Sequence, residues 1–119
     1  MINVKEIIQR TITDDVIEGT VKSDSDGEMD TFLFKKIPAQ ELFAKTLFNE
    51  NDKIDHLERC WIDPDTRKPY PREIIIECIK KSPLIVSRIH DVILIESLKY
   101  HDNFDKELSK KKKIIPASE

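Results

Sequence analysis

The amino-acid sequence predicts a mainly α-helical domain opened by a small N-terminal β-hairpin, an α+β fold with a compact helical body. Three observations carry that expectation. Two segments rich in β-branched and aromatic residues flank a polar turn containing Gly27. Apolar residues recur at helical spacing through the second half of the chain. Prolines stand where helices would begin or loops would run, at Pro38, Pro64, Pro69, Pro71 and Pro83.

Taken in order, residues 3–11 predict a short amphipathic helix with Val4, Ile7 and Ile8 on one side, too short to be stable unless packed. The hairpin is expected over about 16–37. Its first strand is Val16 to Lys22. Its second, from Thr31 to Ile37, alternates Phe32, Phe34 and Lys36 against Leu33, Lys35 and Ile37. The segment Ser23 to Glu28 turns between them, with Gly27 free to take a positive φ. Pro38 suits a first helical turn, where its missing N–H is of no consequence, so a helix is expected over 38–48. Asn49 to Asp52 reads as its end. A second helix is expected over about 53–61, then a loop from Asp63 to Pro71 with three prolines in nine residues. Pro71 opens a helix over 72–81, whose terminal Lys80 and Lys81 suit the negative end of the helix dipole. Ser82-Pro83 opens the longest helix, expected over 84–100. A flexible basic tail is expected from 101 to 119, outside a single domain of residues 1–100.

The last helix carries two apolar strips. Ile85, Val86, Ile89, Val92 and Ile93 form a broad one; Leu84, Ile95 and Leu98 form a narrower one, separated from the first by Ser87 and Arg88. Such a helix is either central to the fold or keeps one strip for a partner, and burial statistics favour the first.

Composition narrows the function. The chain has 119 residues, the size of one domain, with 39% apolar and 36% charged residues and a net charge of −3. Interspersed charge of that kind argues against an electrostatically driven nucleic-acid binder. The stretch from Leu84 to Leu98 contains Arg88, His90, Asp91 and Glu96, so it does not read as a membrane span, and no secretory leader is recognisable. A cytoplasmic protein is expected. Cys60 and Cys78 form no metal or redox motif; two reduced, packed thiols are favoured over a disulfide.

Nor does the sequence offer catalytic machinery or a cofactor site. None of the histidines, His56, His90 and His101, lies in a local signature with a nucleophile, and each reads as a polar surface or boundary residue. Asp24 to Glu28 faintly suggests a calcium loop, but Lys22 stands at the loop's first ligand position and Leu33 at its closing one. Asp63 and Asp65 with Glu73 could hold a divalent cation, yet Asp-Pro-Asp in a proline-rich loop more often builds a turn. With two glycines in the chain, a phosphate-binding glycine loop is out of reach. No metal, no cofactor and no enzymatic activity are therefore expected.

Two stretches carry a resemblance. Gly27 to Leu42 (GEMDTFLFKKIPAQEL) runs from a strand into a helix through Ile37-Pro38-Ala39. Cys60 to Tyr70 (CWIDPDTRKPY) is followed by a helix, Lys81-Ser82-Pro83, and a long helix. Over residues 16–100 this layout resembles the tail assembly chaperones of long-tailed bacteriophages and phage-tail-like particles. It departs from them at Ser97-Leu98-Lys99, where a turn ending in glycine is common in that family. The resemblance implies a binding role in the host cytoplasm: holding the tape-measure protein soluble and recruiting tail-tube subunits, with no catalytic residue to carry over. It also implies a second, longer product made by ribosomal frameshifting, and Lys110-Lys111-Lys112-Lys113 is the protein-level trace such a site would leave. The plain alternative for these lysines is a solubilising tail.

Independently of the resemblance, a chaperone needs exposed apolar strips set among charges. Leu84, Ile95 and Leu98, with Trp61 beside the Asp63 loop, are the candidate partner-binding residues; for each alone, a core role is the commoner one. A self-associating chain fits the same features. A structural component of a phage particle (baseplate or neck) remains open, as does a small regulatory or nucleic-acid binder using the Lys110 to Lys113 run, which supplies phosphate contacts without base reading.

Overall fold

The computed structural model describes residues 4–5, 15–22 and 27–114, with only the backbone of 104 and 107–114. The expected helix at 3–11 therefore falls outside the described residues except for Val4 and Lys5, as do the turn at 23–26 and the end of the chain from 115.

The hairpin forms. Strands β1 (Ile17–Lys22) and β2 (Met29–Phe34) pair antiparallel, from Ile17 opposite Phe34 to Lys22 opposite Met29. Gly27 closes the turn with a φ of 75°, a conformation that favours glycine. On the inner face Gly19, Val21, Phe32 and Phe34 are buried. Gly19 is there because the Phe32 ring lies across it: a Cβ at this position would stand 2.7 Å from the ring.

A third strand was not expected. Trp61 and Ile62 form β3 (Trp61–Ile62), antiparallel to β2 at Phe34 and Leu33, so the sheet order is β1-β2-β3. The helix expected to run through Trp61 stops one residue earlier, and Trp61 is extended at φ −84° and ψ 115°. After it the Asp63 loop doubles back. Asp63 accepts from the Asp65 N–H through its side chain (2.9 Å), its own N–H donates to Lys68 O (2.9 Å), and Tyr70 N–H returns to Trp61 O (3.0 Å). This is a turn built on side-chain-to-backbone bonds, with Arg67 at a φ of 62°.

The helices differ from expectation mainly at their ends. Helix α1 (Ala39–Leu42) is four residues instead of eleven: Leu42 is buried, but Phe43 and Leu47 point outward, so no core-facing stripe sustains it. The polar run read as its end is the beginning of α2 (Glu50–Cys60). Asn49 accepts from Asp52 N–H (2.8 Å) and Asp52 accepts from Asn49 N–H (3.0 Å), a reciprocal capping box. Helix α3 (Arg72–Lys81) spans the expected residues, entered from Pro71.

Helix α4 (Pro83–Ile114) is the largest departure. The segment from His101, expected to leave the domain as a flexible tail, continues the helix to Ile114. Nothing stops it earlier, since no glycine or proline lies between Pro83 and Pro116, and Asp102 pairs with Lys106 (3.0 Å) along its surface. The core gathers Phe34, Ile37, Leu57, Ile75 and Ile93, all fully buried, between the sheet and α2, α3 and α4. Both cysteines are free; burial pushes the Cys60 thiol up to about 12, which makes it an inert packing group. No helix among the described residues is long and apolar enough to cross a membrane.

Candidate protein-binding surface on the last helix

Helix α4 sorts its side chains into two faces. The inner row begins with Val86, Ile89, His90 and Ile93 and continues through Ser97 and His101, all buried. The two polar residues at its far end have a specific task. Ile37 lies between the end of β2 and Pro38, in neither sheet nor helix, and is itself fully buried. Its backbone groups therefore need partners. Ile37 N–H donates to Ser97 Oγ (2.8 Å), whose hydroxyl donates to Ile93 O (2.6 Å). His101 Nε2 lies 3.0 Å from Ile37 O, and because a carbonyl only accepts, that nitrogen must carry the proton. The pair clamps the strand-to-helix junction onto α4.

His90 meets His56 of α2 within the same seam. Their rings are parallel, with His56 Nδ1 3.0 Å from His90 Nε2, and the Phe48 ring meets His56 edge-on at 4.8 Å. One N–H between two ring nitrogens suits two neutral imidazoles. Burial lowers both titrations, His90 to about 4, with His56 and Lys53 adding repulsion; for His56, Asp52 and Asp55 pull the other way. All three histidines are thus interior residues, where the sequence reading placed them at the surface or boundary.

The outer face carries the predicted strip. Leu84 is 52% exposed, Ile95 48% and Leu98 40%, while the broad strip of Val86, Ile89 and Ile93 is core. The strip favoured on burial statistics as a second core face faces outward instead. Ile95 and Leu98 lie on successive turns, and Leu98 joins Phe43, itself 60% exposed, in lining a groove with Lys99, Asp102 and Asp105. Phe43 is the first residue after α1 and is not among the partner-binding residues the sequence singles out. Leu84 stands about 16 Å from Ile95 along the axis, eleven residues at about 1.5 Å each, with Arg88 and Asp91 between. Trp61 belongs elsewhere: half-buried in β3, it packs edge-on against Tyr70 (4.9 Å) beside the sheet. Lys110 to Lys113 continue the backbone of α4, and their side chains lie outside the described residues.

The result is an exposed apolar patch in which Leu98 and Phe43 line a groove among charges, with Ile95 one turn away along the helix. Among the described residues no group of three or more histidine, cysteine or acidic side chains is placed to hold a metal ion. No protein-family model, curated protein or solved structure matches the chain.

Proposed function

We propose that this chain is a non-enzymatic protein-binding factor, a tail assembly chaperone of a long-tailed bacteriophage or phage-tail-like particle. In that reading it keeps the tape-measure protein soluble and recruits tail-tube subunits in the host cytoplasm. The observation that supports it is the outward placement of Leu84, Ile95 and Leu98 on a helix whose other face is buried from Val86 to His101. Apolar side chains on the outer face of a long helix, with Lys99, Asp102 and Asp105 beside the Leu98 end, suit a helical client docked side by side. The client class comes from the resemblance of residues 16–100 to that family.

The test is co-expression with the tape-measure protein of the same genome. The client is expected to stay in the soluble fraction and to co-purify. Leu98→Asp should leave the chain folded, because this side chain is not core, while weakening client capture by at least about tenfold. A client that stays insoluble, or one captured equally well by the folded variant, would overturn the reading.

A further inference from the structure

The sheet is unfinished on one side. Strand β2 pairs with β1 over its whole length, but β3 reaches only Phe34 and Leu33. The register explains where β3 ends. Ile62 lies opposite Leu33, so two residues further on Thr31 would face Pro64. Proline has no N–H to give to the Thr31 carbonyl, and Asp63 N–H is already turned to Lys68 O at 2.9 Å. The chain leaves the sheet at that point.

This leaves a strand edge with its polar groups directed outward. Lys35 N–H donates to Cys60 O at 2.8 Å, so the odd-numbered residues of this stretch turn their backbone groups toward the β3 side. By alternation Thr31 and Met29 direct their N–H and C=O groups the same way, beyond the end of β3. Both residues are exposed, and among the described residues none bonds these groups. A cleft of about 480 Å³ opens at the same place, its walls including Phe32, Pro64, Trp61 and Tyr70. Two acids, Glu18 and Asp30, line it and no basic side chain does. Neither acid has an ion-pair partner among the described residues.

We infer that this notch binds an extended peptide segment of another protein, carrying alternate bulky apolar and basic side chains. The peptide adds a strand to β2 in line with β3. Thr31 and Met29 supply backbone hydrogen bonds, as in other strand-addition complexes. The aromatic walls on the Phe32 side take an apolar side chain, and Glu18, on the other face of the sheet with Thr31 and Leu33, attracts the alternate lysine or arginine. The site lies on the sheet, away from the outer face of α4, and does not depend on the phage reading.

Trp61 is the only tryptophan of the chain and lines the cleft, so its fluorescence reports occupancy. The probe is an eight-residue, end-capped peptide alternating valine and lysine, titrated into the full chain beside a twin with glutamate for lysine. The basic peptide is expected to shift Trp61 emission saturably, and the acidic twin to bind at least about tenfold more weakly. Thr31→Pro removes an N–H that faces away from β1, so it should leave the hairpin paired and abolish binding. Glu18→Gln, a gentler change, should weaken binding about tenfold. Leu98→Asp should bind the peptide normally, which separates this site from the α4 surface. No saturable shift with the basic peptide, equal binding of the acidic twin, or binding that survives Thr31→Pro in the folded chain would each overturn the inference.

Discussion

The two faces of α4 invert the usual expectation about which residues a fold buries. On the inner face His90, Ser97 and His101 are buried, while on the outer face Leu84, Ile95 and Leu98 are two-fifths or more exposed. Side-chain hydrophobicity does not sort them; position does. Ser97 and His101 share the helical row of Val86, Ile89 and Ile93, at successive spacings of three to four residues, and so are carried into the interior by the helix itself. They are tolerated because each meets a backbone group that would otherwise lack a partner. Among the described residues, no element covers the outer leucines and isoleucine.

Ile93 and Ile95 test that contrast most sharply, being the same residue type two positions apart on opposite sides of one helix. Ile93→Ala removes a fully buried side chain and should destabilise by about 2–5 kcal/mol. Ile95→Ala should fall within about 0.5 kcal/mol of the parent, as exposed substitutions do. Urea denaturation of both variants measures the difference, and equal losses would mean that the outer face is packed after all.

Much of this arrangement was legible in the sequence, and the failures share a cause. Helix α3 was readable because Pro71, its apolar spacing and its closing lysines agree. The hairpin was readable from Gly27 and the alternation around Phe32 and Phe34. The inner row of α4 was lost at Ile93 because the next two members are polar, and a periodicity search discards them. Their partner, Ile37, is sixty residues away in the chain from Ser97. Asn49 to Asp52 was read as a helix end from composition, although Asn followed three residues later by Asp is also the spacing of a capping box. Strand β3 is two residues long, too short for any pattern, and exists only because β2 lies beside it. The outward turn of Leu84, Ile95 and Leu98 depends in the same way on what the rest of the chain leaves uncovered.

A smaller effect is expected from Ser97. Ser97→Ala leaves the Ile37 N–H buried without its acceptor and frees nothing in return, a loss of about 1–3 kcal/mol. Ser97→Thr keeps the hydroxyl and should recover part of it, provided the added methyl group fits. If Ser97→Ala melts like the parent, the clamp on Ile37 contributes nothing and the burial of Ser97 needs another explanation.

The least effect near neutral pH, and a growing one below it, is expected from the His56–His90 seam between α2 and the inner face. Both rings titrate below their ordinary value of 6.5 because burial disfavours the charged form, His90 down to about 4. Between those two values the unfolded chain binds protons that the folded chain does not. Stability from these groups is therefore complete above pH 6.5 and is lost as the pH falls toward 4. The carboxyl of Asp52, held low by the Asn49 backbone N–H and by Lys45, contributes its own loss at more acid pH. His90→Gln removes one titrating ring and keeps an amide to meet His56. Its melting temperature should fall less steeply than the parent's between pH 6.5 and 4, even if it starts lower. Parallel melting curves across that range would show that the seam does not titrate as a buried pair and that the inner face of α4 accepts charge as readily as the outer.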